Sequence, residues 1–150
     1  MAMKQVVILL AAALTVMCPA CAGSTVGRHA APVSADEAAR FGGLSLPEGA
    51  EILGAATDGA IDTRYELALR VTPAQLHELL AKSHFTVPVT PSEYGKELEV
   101  VGGPPMSSTT DLRYAQDRLD TVDHEGIVRE LFEDHRSPGE IYVHLFMFTT

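Results

Sequence analysis

Ile141-Tyr142-Val143-His144-Leu145-Phe146-Met147-Phe148-Thr149 is apolar on both sides of an extended chain. Side chains of a strand alternate, so Val143, Leu145 and Met147 share one face, and Tyr142, Phe146 and Phe148 share the other. A strand of this kind is buried on both sides, which places it in the middle of a sheet. Upstream, Ser137-Pro138-Gly139-Glu140 has Pro and Gly where a type II turn wants them. The turn joins the last strand to an earlier one over Ile127 to His135, and the two form a closing hairpin.

Working toward the N-terminus, Arg64 to Val71 alternates cleanly. Tyr65, Leu67, Leu69 and Val71 lie on one face, with Arg64, Glu66, Ala68 and Arg70 on the other. Glu51 to Thr57 is a second strand, and a five-residue loop from Asp58 to Asp62 makes the two a hairpin. Thr72-Pro73-Ala74-Gln75 is a helix start, with a capping Thr, a Pro suited to the first turn and a Gln that completes the box. The helix runs to about Ser83 on a Leu76, Leu79 and Leu80 stripe. A shorter helix opens on Ser34-Ala35-Asp36-Glu37 and ends at Gly42-Gly43, where glycine accepts the left-handed conformation. Thr86 to Val122 is punctuated by Pro and Gly. Leu98, Val100 and Val101 suggest one short strand there, and Asp111 to Leu119 a helical turn. The weak patterning predicts low local stability for this stretch and makes it the first choice for a binding surface. The fold expected is α+β: an antiparallel sheet of four to five strands, with one main helix packed on one face.

The N-terminus reads differently. Eighteen of the first 22 residues are apolar. Lys4 precedes an uncharged run from Val6 to Cys18 that is too short for a membrane span of about 20 residues and fits the h-region of an export signal. Two processing sites overlap. Cys18-Pro19-Ala20-Cys21 is similar to a bacterial lipobox, in which Cys21 is lipidated and becomes the first mature residue; Cys18 stands where Leu is commonest. Ala20-Cys21-Ala22 offers an A-x-A cut after Ala22 instead. The expected organisation is a signal peptide over 1–20 (1–22 for the A-x-A cut), a flexible tether over 21–33 and a single domain over 34–150. Both cysteines precede residue 22, so neither cut leaves a disulfide in the domain.

Together, the terminal Cys, the short helix before Leu46-Pro47, the Asp62 to Val71 strand running into Thr72-Pro73, the Leu76/Leu79/Leu80 helix and the Ser137-Pro138-Gly139 hairpin resemble small uncharacterised lipoproteins of actinobacterial type. The resemblance covers most of the chain in pattern. It implies a cell-envelope location and supplies no catalytic residues.

The 150 residues carry 20 acidic against 11 basic side chains, a formal charge of −9. This argues against a nucleic-acid partner or an anionic membrane surface. His77-Glu78 begins like a zinc-protease helix, but residue 81 is Ala, not the second His. His124, His135 and His144 fall in the last third, with Asp123, Glu125 and Asp134 nearby. Of these, His135, His144 and Asp134 are the metal candidates, and no ligand spacing among them is diagnostic. Asp117, Asp120, Asp123 and Glu125 do not follow the alternation of a calcium loop. Gly102-Gly103-Pro104-Pro105 lacks the Lys and Ser/Thr of a phosphate loop, and Ser107 and Ser108 lack a nucleophile elbow. No cofactor and no catalytic residue is assigned. The expected function is a non-catalytic binding or interaction module, exported and anchored to the membrane through a lipid on Cys21. Its partner is a protein or small ligand of the envelope that the sequence does not identify. The alternatives are a secreted form, and a small extracytoplasmic hydrolase or metal-binding protein using the C-terminal His and acidic residues.

Overall fold

A computed structural model describes residues 30–59, 62–120 and 126–149. Among these residues seven antiparallel strands form one sheet: β1 (Ala31–Pro32), β2 (Glu51–Asp58), β3 (Arg64–Val71), β4 (Thr90–Pro91), β5 (Leu112–Leu119), β6 (Ile127–Ser137) and β7 (Glu140–Thr149). Their spatial order is β1-β2-β3-β7-β6-β5-β4. The doubly apolar segment that closes the chain is therefore the middle strand of seven, paired with β3 from Arg64↔Phe148 to Val71↔Ile141 and with β6 along its other edge. Both edge strands are two residues long and end in proline (Pro32 and Pro91). Short edges without a full row of donors resist pairing with other chains.

The α+β class holds, with more strands than the four or five expected. Two of the additions are these short edges. The third, β5, occupies Leu112–Leu119, where a helical turn was expected. Its Leu112, Ala115 and Leu119 fit helical spacing, but in the strand they divide between faces: Leu112 joins the Phe132 and Phe146 cluster, and Ala115 and Leu119 join the main core. Pairing of all of β5 with β6, from Leu119↔Ile127 to Leu112↔Asp134, outweighs the local pattern. Leu98, Val100 and Val101 form no strand. Residues 31–33, which the sequence groups with the tether, join the sheet, since β1 pairs with β2 and the Val33 N–H donates to Ala55 C=O.

The main core lies on one face of the sheet. Leu67, Leu69 and Val71 of β3, Ile127 and Leu131 of β6 and Val143, Leu145 and Met147 of β7 are buried there, in one cluster with Ala38 of α1 (Ala35–Phe41) and Leu76 and Leu79 of α2 (Pro73–Lys82). Both helices start as their sequences dictate. Ser34 Oγ accepts from Glu37 N–H, and Thr72 and Gln75 form the complete capping box. The Glu37 carboxylate does not return to its cap; it accepts from Tyr65 OH at 3.0 Å instead. Gly43, at φ +61°, ends α1, and Leu44 N–H reaches back to Ala39 C=O at 2.8 Å.

The C-terminal ends of both helices converge on one buried cation. Arg129 of β6, 1% exposed, donates through Nη1 to Gly42 C=O at 3.2 Å and Ser83 C=O at 2.9 Å. Its Nε and Nη2 form a bidentate pair with Asp117 of β5 at 2.8 and 2.5 Å, and the guanidinium lies 4.0 Å from the Phe85 ring centre. Helix C-termini present unpaired carbonyls at the negative end of the helix dipole, so a fully bonded guanidinium suits this position.

The closing hairpin turns through Pro138 and Gly139, as read from the sequence, but not as a type II turn. Gly139 is not among the residues at positive φ, which type II demands at its third position. The register shift between His135 and Ser137 marks a bulge beside the turn, a device that adds local twist where a tight connection needs it.

Candidate functional site

The second face of the sheet is covered by chain rather than helix. Residues 92–109 cross it as a strap, anchored at the start by Ser92 N–H to Leu112 C=O at 2.9 Å. Its single turn of 3-10 helix, Met106–Ser108, buries Met106 completely among Leu112, Phe132 and Phe146. Leu98 and Val100 pack on the same cluster. Within 86–120 the irregular composition thus encodes a strap over the second face and the strand β5.

The strap lies close because it uses glycine where it meets the sheet. Gly95 sits at φ +95°, and a Cβ there would stand 2.2 Å from the Phe132 ring. Gly95→Ala should cost about 2–4 kcal/mol, summing a left-handed backbone penalty and a ring clash. A urea midpoint equal to wild type would show that the strap does not bear on Phe132. Gly103, at φ +80°, backs onto Leu53, Tyr142 and His144 at the other end.

Near the Gly95 end lies an aromatic row. Tyr94 meets Tyr114 edge-on at 5.0 Å, Tyr114 lies 4.9 Å from Phe132, and Phe132 meets Phe146 edge-on at 5.7 Å. The Arg64 guanidinium sits 4.9 Å from the Phe146 ring centre. Glu130 Oε1 accepts from Tyr94 OH at 3.2 Å and from Tyr114 OH at 3.0 Å. Burial and then the Glu130 contact raise the Tyr114 phenol well above its usual range; the same two influences raise Tyr94. Both hydroxyls are therefore protonated donors at neutral pH, not nucleophiles. Tyr94 is 53% exposed and presents the rim of this row to solvent.

Near the Gly103 end lies a buried polar group. Asp134, fully buried, accepts at Oδ2 from Arg136 Nε at 2.7 Å, and Arg136 Nη2 donates to the strap at Pro105 C=O at 2.8 Å. His144, 1% exposed, makes no hydrogen bond to protein through either ring nitrogen, and Asp134 Oδ1 accepts none. Burial lowers His144 from the usual 6.5 to about 4, with Asp134 opposing the shift and Arg136 adding to it. The ring is neutral at physiological pH.

The metal candidates separate. Phe132, not His135, pairs with His144, and His135 pairs with Ile141. Strand alternation puts His144 and Asp134 on the second face and His135 on the first. His135 Nε2 contacts Glu133 Oε2 at 2.9 Å and lines a depression of about 490 Å³ with Asp111, Ser137 and Pro138. Arg113 grips Asp111 at 3.1 and 3.2 Å and holds its carboxyl below the ordinary range. Among the described residues, no three His, Cys, Asp or Glu side chains gather as a metal site. Cys21, His124, Asp123 and Glu125 lie outside the described residues.

Sequence reasoning missed the Tyr94, Tyr114 and Glu130 group and the Arg129–Asp117 pair. Part of the signal was present: Glu130, Phe132, Asp134 and Arg136 alternate along one face of β6. Tyr114 and Tyr94 stand 16 and 36 residues from Glu130, and Asp117 stands 12 from Arg129, so no local period announces these contacts. No family model matches this chain, nor does any curated protein or solved structure.

Proposed function

We propose that the protein is an exported, non-catalytic binding or interaction module, held at the cell envelope by a lipid on Cys21. The observation that carries this reading is the uncharged run from Val6 to Cys18 leading into Cys18-Pro19-Ala20-Cys21. Among the described residues no helix is long and apolar enough to cross a membrane. A single acyl chain binds a bilayer only marginally, whereas a diacylglyceryl group supplies two chains at about 0.8 kcal/mol per buried CH₂. Protein charge does not help, since the chain is at −9 and loses the positive Lys4 with the signal. In this reading Leu76, Leu79 and Leu80 of α2 join the core on the first face, and the strap lies over the second. The surface favoured for the partner is the outer side of the strap, which exposes Tyr94 and carries a depression of about 430 Å³ lined by Lys96, Glu97, Glu99 and Ser107.

Wild type and Cys21→Ser, expressed in a bacterial host with lipoprotein processing and then fractionated, test the anchor. The expected result is wild type in the membrane pellet and the variant uncleaved or released. Wild type in the medium with Gly23 at its N-terminus would overturn it in favour of the A-x-A cut.

A further inference from the structure

Three buried polar atoms lie under the Gly103 end of the strap without a protein partner: His144 Nδ1, His144 Nε2 and Asp134 Oδ1. Two unbonded nitrogens on a ring that is 1% exposed are costly in either tautomer, and a proton on that ring would bury a cation. We propose that His144 is a proton-operated latch for the strap, which stays closed over the neutral imidazole and opens when the ring takes a proton.

The charged groups around the ring are few. From β6, Asp134 favours the proton and Arg136 disfavours it. From β3, apolar Ala68 stands directly across, with Glu66 and Arg70 two residues to either side. Glu66 is engaged by Arg64 at 3.1 Å; Arg70 is bound by Glu51 of β2 and by Glu140 of β7 itself. From the strap, the uncharged Gly103 backs onto the ring and borders the depression that also holds Lys96, Glu97 and Glu99. Among the described residues only Asp134 is a buried anion beside the ring, and its Oδ2 is already committed to Arg136.

Of the elements around His144, the strap is the one that can leave. β3 and β6 are bound to β7 by continuous ladders. The backbone bonds of 93–109 are local, such as Leu98 N–H to Gly95 C=O and Thr109 N–H to Met106 C=O. Side chains hold the strap to the sheet, through Arg136 to Pro105 C=O and Tyr94 OH to Glu130. Opening lets water reach the imidazole, whose affinity for the proton then returns from about 4 to the ordinary 6.5. The closed form is thus fully favoured above pH 6.5, loses ground as pH falls from 6.5 to 4, and loses no more below that. The full window corresponds to an opening equilibrium shifted about 300-fold.

Hydrogen exchange between pH 7 and pH 4, expressed as protection factors so that the intrinsic pH dependence cancels, tests this on the full domain. Protection of the hydrogen-bonded strap amides, those of Leu98, Ser108 and Thr109, should fall by up to about 300-fold, with a midpoint between pH 4 and 6.5, while amides of β3, β6 and β7 hold. In His144→Gln the strap's protection should no longer depend on pH across this window. Should that variant not fold, the ring resonances of wild-type His144 serve instead: they must titrate below pH 6.5 together with strap opening. The proposal is overturned if strap protection is flat while His144 titrates, if strap and central strands lose protection together, or if His144→Gln keeps the wild-type pH profile.

Discussion

Arg129→Ala should destabilise the domain by about 3–5 kcal/mol, the range for removing one partner of a buried ion pair. That is a large part of the roughly 5–15 kcal/mol by which a domain of this size is usually stable, so the variant should unfold at a much lower urea concentration than wild type. The cost does not come mainly from lost attraction between charges. It comes from what stays behind: Asp117 with both bonds to Arg129 gone, and the Gly42 and Ser83 carbonyls at the ends of α1 and α2 without their donor. The guanidinium also covers the Phe85 ring at 4.0 Å, so packing is lost with it. Arg129→Lys should recover little, because an ammonium cannot make the two-pronged contact to Asp117 while reaching two carbonyls. Asp117→Asn should cost less, since the amide oxygen still accepts from the guanidinium. Urea denaturation of the three variants checks the order. An Arg129→Ala unfolding free energy within about 0.5 kcal/mol of wild type would mean that the two helix ends are held by something else.

Phe146→Ala should cost about 3–5 kcal/mol, as for other buried aromatic side chains cut to alanine. Phe146 lies on the central strand, is 2% exposed and packs edge-on against Phe132, with the Arg64 guanidinium on its ring. It stands between Glu66 of β3 and Glu130 of β6 in the ladder, so no apolar side chain is paired directly across from it on either neighbouring strand. The truncation removes the floor on which Met106 and Phe132 rest, and the strap should loosen with it. Thermal unfolding gives the stability. Exchange over 93–109 gives the strap. An unshifted melting temperature would rule out a central role for the last strand. Phe148, which is less buried on the same strand face, should tolerate the same truncation better.

The reach of local sequence is visible in particular residues. Thr72, Pro73 and Gln75 announced α2 and its cap because capping chemistry is confined to four adjacent positions. Ile141 to Thr149 announced a central strand because alternation with no polar face leaves nowhere else to put it. Leu112, Ala115 and Leu119 misled, because an eight-residue stretch with apolar residues three and four apart also satisfies a strand buried on both faces. The strap was invisible as such. Its glycines and prolines look like a loop, and only contact with Phe132, Tyr142 and His144 explains why Gly95 and Gly103 are glycine. His135 and His144 seemed able to meet because they lie on adjacent strands. The turn sets a register that pairs His144 with Phe132, and that register puts the two rings on opposite faces.

The sequence by itself therefore determined the helix starts, the two hairpins, the centrality of the last strand and the α+β class, each of which depends on residues within about ten positions of one another. Tertiary structure alone decided the seven-strand order, the conversion of 112–119 into β5, the gathering of both helix ends on Arg129, and the burial of a bondless histidine beneath a strap. These rest on pairings across as many as 87 residues, as between Arg129 and Gly42. A residue's chemistry says that it needs a partner, but the folded backbone chooses which one stands within reach.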